Sequence, residues 1–182
     1  MALDATEIAV AGTGHVYRAV LGTAFPANTS TVPAAAWIEL GYTTEEGVRF
    51  SFSKETTDFM GWQSTDVLRT IATAAPKEIA MDFAQLNQDT WNTAMGGGTW
   101  SGTPPNYEYV PPAASAVDEF ALLIEATDGT EIYRWGFTRV VVTGSVDFAL
   151  TRSDPIILPV TVKVLDASPV YKLFTNDADL GA

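Results

Sequence analysis

The stretch Glu119-Phe-Ala-Leu-Leu-Ile-Glu-Ala126, followed by Thr127-Asp-Gly-Thr130 and then by Ile132 to Thr143, decides the fold class. Phe120, Leu122 and Ile124 recur at every second position, and in a strand every second side chain points to the same face. Asp128-Gly129 between two such runs is a strong short-range hairpin signal, because a type I′ turn needs positive φ at both central residues. The stretch therefore reads as an antiparallel hairpin with a buried face, and the rest of the chain has to supply the other half of that core.

Downstream, Val146, Phe148 and Leu150 alternate with Asp147, Ala149 and Thr151, and Val160, Val162 and Val164 alternate with Thr161 and Lys163. Asp166-Ala-Ser-Pro169 turns the chain into a last apolar run, Val170-Tyr-Lys-Leu-Phe174. Residues 176–182 read as an acidic, frayed C-terminal tail. Asn176-Asp-Ala-Asp179 lacks the glycine turn and distal glutamate of a calcium loop, so it reads as solvated.

Upstream, residues 99–116 contain Gly102, Pro104, Pro105, Pro111 and Pro112, a composition that disfavours central strands and predicts an extended surface loop. Residues 87–95 predict the chain's best helix. Asn87 is an N-cap, Asp89 suits the positive end of the helix dipole, Leu86 and Trp91 have staple spacing, and Gly96-Gly-Gly98 stops the run. Val67 to Thr73 and Glu78 to Ala84 flank Ala74-Ala-Pro76 and read as a hairpin. In the second of these runs Ile79, Met81 and Phe83 form one face, and Glu78, Ala80, Asp82 and Ala84 form a small, acidic one. Residues 42–64 begin with the alternating Val48, Phe50 and Phe52 and end in Asp58-Phe-Met-Gly-Trp-Gln63, a hairpin or loop excursion with apolar groups near its tip. Exposed apolar groups on such an excursion mark an interface. Residues 1–34 read as an extended N-terminal arm with one short strand from His15 to Leu21, and residues 35–175 as a single domain. The fold class is mainly β, an antiparallel β-sandwich or barrel with one short flanking α-helix, an extended N-terminal arm and long loops.

Composition removes several functions. Among 182 residues there are 10 basic and 22 acidic side chains, a net charge of -12, one histidine and no cysteine. Gripping nucleic acid by its phosphates needs clustered Lys and Arg, and a membrane-surface anchor needs a polybasic run, so both are disfavoured. Without cysteine there are no disulfides, thiolate metal sites or thiol nucleophiles. Met1-Ala-Leu-Asp-Ala-Thr-Glu7 has neither the basic start nor the apolar run of a signal peptide, and no stretch approaches the roughly 20 apolar residues of a membrane span, so the expectation is a soluble protein.

Chemistry-bearing motifs are sparse. His15, the only imidazole, sits in a glycine-rich segment that holds a catalytic base poorly. Gly12-Thr-Gly14 lacks the third glycine and helix of a dinucleotide site, and Ser51-Phe-Ser-Lys54 lies in a strand pattern rather than at a helix start. The pairs Glu78 with Asp82 and Glu119 with Glu125 each share a strand face, so they do not oppose one another as glycosidase carboxylates do. No catalytic, cofactor or metal site is expected. Trp62 and Trp100, in irregular segments, leave open a non-catalytic carbohydrate-binding or adhesin domain, since aromatic faces stack on sugars.

The order of features, from the arm through Val48-Arg-Phe-Ser-Phe-Ser-Lys54, Gly61-Trp-Gln-Ser64 and Lys77-Glu-Ile-Ala-Met-Asp-Phe83 to the helix at Asn87-Gln-Asp-Thr-Trp91, resembles the major tail tube protein of long flexible-tailed bacteriophages, particularly those of actinobacteria. The resemblance covers most of residues 10–175. It implies a structural subunit without enzymatic activity, assembled as stacked, hexameric rings into a hollow conduit for viral DNA. It further implies a place in the virion tail after synthesis in the host cytoplasm, with the tape measure protein and the tail terminator and tip proteins as partners, and DNA in transit only. On that reading Glu78 and Asp82 are candidates for lining the bore, the alternative being a solvated outer face. Phe59, Met60, Trp62, Tyr107 and Tyr109 are candidates for the contacts between subunits and rings.

Overall fold

The computed structural model describes residues 7–144 and 146–181. Along the chain run β1 (Thr13–Val20), β2 (Ile38–Glu39), β3 (Thr43–Phe52), β4 (Glu55–Met60), β5 (Val67–Ala74), β6 (Lys77–Phe83) and α1 (Gln88–Ala94). There follow β7 (Thr99–Thr103), β8 (Asn106–Val110), β9 (Glu119–Asp128), β10 (Glu131–Val142), β11 (Leu158–Val164), β12 (Tyr171–Thr175) and the single turn α2 (Ala178–Gly181).

One antiparallel sheet, in the order β2-β1-β9-β10-β11-β6-β3, carries the domain, and β10 is its pivot. β9 lies along one edge of β10 through the expected hairpin, but the type I′ turn expected on Asp128-Gly129 is not what forms: Asp128 pairs with Glu131, the turn residues are Gly129 and Thr130, and of these Gly129 alone has positive φ, +57°. The other edge takes β12 over Tyr133–Phe137 and β11 over Val140–Val142. Between Phe137 and Val140 the register against β9 shifts, and a bulge there bends the strand. The sheet accordingly folds into two leaves, β2-β1-β9-β10-β12 and β11-β6-β3. Val16, Phe120, Leu122, Ile124 and Phe137 from the first leaf meet Ile79, Met81, Phe83, Leu158, Val160 and Val162 from the second in one core. Phe50 of β3 reaches across to Trp135 and Phe137, with ring centroids 5.4 and 6.0 Å apart. The sandwich curls without closing into a barrel, and α1 packs beside β11, adding Ala94 and Trp91 to the core.

Phe120-Ala-Leu-Leu-Ile124 is buried on both faces, not one. Ala121 and Leu123 belong to a second cluster with Ala19 and Trp37, and residues 24–37 cover it. Phe25 stacks on Trp37 at 5.5 Å and fits because Gly136 has no side chain, since a Cβ there would come within 2.7 Å of the Phe25 ring. Arg134, buried in β10, clasps the covering segment. Its Nη1 donates to the carbonyls of Asn28 (2.8 Å) and Thr31 (2.9 Å), its Nη2 to that of Thr29 (3.2 Å), and its Nε to the Glu125 carboxylate (2.7 Å). Most of the segment read as an arm thus lies in the sheet or against it.

Four local readings are corrected. Residues 43–83 form one long hairpin rather than two in succession. β3 pairs with β6, β4 with β5, and the Ser53 N–H donates to the Pro76 carbonyl at 3.1 Å where one pair passes into the other. Ala74-Ala-Pro76 interrupts the ladder, because proline has no N–H, but does not reverse the chain. The proline-rich stretch contains a hairpin, β7 with β8, and Pro104-Pro105 occupy its turn, where no ladder donor is needed. Residues 146–150 form no strand; Val146 and Phe148 pack inward on the core without a ladder, and Leu150 stays exposed. The C-terminal segment is tied down: Asn176 Oδ1 accepts from the Ile132 N–H (2.6 Å), its Nδ2 donates to the Thr130 carbonyl (2.9 Å), and the Tyr133 hydroxyl donates to Asp177 (2.7 Å).

Candidate assembly surface

The outer half of the long hairpin, β4 with β5, is a two-stranded ribbon that leaves the body completely: every residue of both strands is exposed. Thr57 and Phe59 lie opposite Ile71 and Arg69 on one face, and Thr56 and Asp58 lie opposite Ala72 and Thr70 on the other. The Thr70 hydroxyl donates to Asp58 at 2.7 Å. A lone pair of strands is marginal in water, and this one displays Phe59, Met60, Leu68 and Ile71 on it and Trp62, 98% exposed, at its tip. Sequence reasoning named Phe59, Met60 and Trp62. It missed Val67, Leu68 and Ile71, whose exposure follows only once their strand is recognised as the return limb of the same ribbon.

The tip is shaped rather than open. The Ser64 N–H donates to the Gly61 carbonyl at 3.2 Å and the Asp66 N–H to the Ser64 hydroxyl at 3.1 Å, while the Leu68 side chain fills the space beside Gly61, where a Cβ would come within 2.7 Å of it.

The second projecting ribbon, β7–β8, is anchored to α1. Trp100 and Tyr109 face each other across it, with centroids 5.1 Å apart, and Trp91 meets Tyr109 edge-on at 5.9 Å. Trp100 Nε1 donates to Asn92 Oδ1 (2.9 Å), and the Tyr109 hydroxyl donates to the Gly97 carbonyl (2.6 Å). Burial raises the Tyr109 pKa above its ordinary value. Gly98, at φ +117°, has to be glycine, since any Cβ would overlap the Tyr109 ring. α1 itself is fixed by the reciprocal Asn87–Thr90 cap foreseen in its first residue. Between the ribbon and the helix start lies a groove of about 460 Å³ lined by Leu86, Asn87, Gln88, Trp91, Trp100, Ser101, Gly102 and Tyr107. Trp91 Nε1 is buried and has no acceptor among the described residues. Tyr107 is therefore exposed at the groove, whereas Tyr109 is committed to internal packing.

Glu78 and Asp82 point away from the core on β6, with Ala80 between them. Their neighbours are not uniformly acidic. Glu78 lies beside Ser51 and Lys163, Ala80 beside Arg49 and Thr161, and Asp82 beside Pro159. Arg49 in turn lies 3.9 Å from Glu46. The face thus mixes charge, which the strand read alone did not show.

His15 sits on β1 with its Nδ1 2.6 Å from Glu39, and Ser51 is the last residue but one of β3. Among the described residues no group of three His, Asp or Glu side chains is placed to hold a metal ion. The shifted acids are structural. Arg139 donates twice to Glu119, at 2.7 Å each, and holds its carboxyl below the usual range, and the Tyr133 hydroxyl does the same for Asp177.

A family model described as phage tail tube protein matches residues 1–178 of the chain. No curated protein matches it.

Proposed function

The chain belongs to the family of phage tail tube proteins, whose members are structural components of the virion tail that assemble into a tube, and from that premise we propose that it stacks as rings, hexameric in symmetry, around a bore through which viral DNA passes. The observation that carries this reading is the β4–β5 ribbon. A chain that leaves an ordered strand pair exposed on both faces, with Phe59, Met60 and Trp62 displayed, has a surface that only another molecule can bury. The subunit acts without catalysis, and its further partners are the tape measure protein and the proteins that terminate and tip the tail.

The bore wall, on this proposal, is the outer face of β11-β6-β3 with Glu78 and Asp82. Residues 24–37 cover the β1–β9 part of the other leaf's outer face, whereas the β6 side offers short side chains, Ser51, Ala80 and Thr161, between sparse charges. With a net charge of -12 per chain, passing DNA meets like charge and finds no basic cluster to grip it. Negative-stain electron microscopy of concentrated protein tests the proposal: discs or tubes are expected. A monomer that never assembles and instead retains glycans would favour the sugar-binding alternative, which rests on the faces of Trp62 and Trp100.

A further inference from the structure

A polymer that grows without limit needs two different patches on each copy, because a patch that binds only itself closes after two copies. The ribbon tip is one patch, and its counterpart has to lie elsewhere on the same chain. β6 leads away from the ribbon: it starts at Lys77, at the ribbon's base, and its seven residues end at Phe83, after which Leu86 and α1 follow directly. A strand of that length spans about 20 Å, so the groove beside Leu86 opens at the opposite end of the leaf from the ribbon.

We infer that this groove receives the Trp62 tip of the next copy along the tube; the inference rests on the tube reading above. The two surfaces match in charge and in chemistry. Gly61-Trp-Gln-Ser64 carries no charge, and neither does any residue lining the groove, so this contact avoids the mutual repulsion of two chains at -12 each. The groove walls are aromatic, and Trp91, Trp100 and Tyr107 offer flat faces to an indole. Both partners are held ready: the tip by the Gly61–Ser64 turn and the groove by the bonds from Trp100 to Asn92 and from Tyr109 to Gly97.

The absence of cysteine makes the test direct. Gln63→Cys with Ser101→Cys in one chain, oxidised after assembly, should give a ladder of covalent multimers on a non-reducing gel, and either variant alone should give none. Normal tubes without a ladder would overturn the inference. Independently, Ser101→Arg at the exposed rim should abolish tubes while leaving the thermal transition unchanged. Mixed with Trp62→Ala, which keeps its groove, it should form single stacked pairs of rings that grow no further, because each pair joins one intact tip to one intact groove. Tubes of Ser101→Arg indistinguishable from wild type would overturn the inference and leave the tube reading standing. Wild-type protein that never forms tubes would remove both.

Discussion

At the scale of single residues, Arg134 is the clearest case of one side chain determining the course of others. Its guanidinium satisfies three backbone carbonyls and a carboxylate at a place water scarcely reaches. Replacing it by Met strands Glu125 and the Asn28–Thr31 carbonyls together, a loss of about 3–5 kcal/mol for a broken buried pair. Urea denaturation should show that loss as a lower midpoint, with residues 24–37 becoming the first site of limited proteolysis. Asp177 and Glu119 contribute to acid stability. Both carboxyls are held below their ordinary values of 3.8 and 4.5, the first by the Tyr133 hydroxyl and the second by Arg139. A depressed folded-state pKa contributes stability that is present above the unfolded value and is lost as pH falls through the folded one. The melting temperature should therefore hold down to about pH 4 and fall below it, and Asp177→Asn should flatten part of that acid limb.

At the scale of elements, what was legible was what is decided locally. Asp128-Gly129 announced a hairpin, although the turn closes on Gly129-Thr130, and Asn87 was recognisable as an N-cap because its bond goes to a near neighbour in sequence, Thr90. The long hairpin was not legible, because Ala74-Ala-Pro76 carries the punctuation of a turn and nothing nearby says that Ser53 waits across the ladder to bond Pro76. The same holds for Phe120-Ala-Leu-Leu-Ile124. Alternation named one face, while the unbroken apolar run, the mark of a strand buried twice, depended on a cover from residues 24–37 that no local pattern announces. Of the assembly surface, Phe59, Met60 and Trp62 could be named because large apolar residues stood among polar ones. The groove joins segments from α1 and β7–β8 that come together only in three dimensions. For the ribbon, the double variant Phe59→Ser with Trp62→Ser should melt within about 1 kcal/mol of wild type, as surface substitutions do, yet yield no tubes by electron microscopy. Tubes of normal length would put the contact elsewhere.

At the scale of the whole molecule, the charge of -12 has to be read against the faces it occupies. The β11-β6-β3 face balances Glu46, Glu78 and Asp82 against Arg49 and Lys163, so the bore proposed there is only mildly repulsive and the substitution of two carboxylates changes its sign. Glu78→Lys with Asp82→Lys should still give tubes, since neither residue belongs to the ribbon or the groove, but should slow DNA release from the virion. Release kinetics measured by dye uptake would check this, and unchanged kinetics would place the bore on another face.

A ribbon without a body beneath it also has a distinctive behaviour in time. In the free subunit the β4–β5 amides have no packed layer shielding them, so they should exchange with deuterated water within seconds, while the β9–β10 pair at the centre of the sheet holds its protons until the domain unfolds as a whole. Once copies have joined, residues 55–74 should become slow. The ribbon would then serve as a clock for assembly, reporting each docking event from inside the chain without any label.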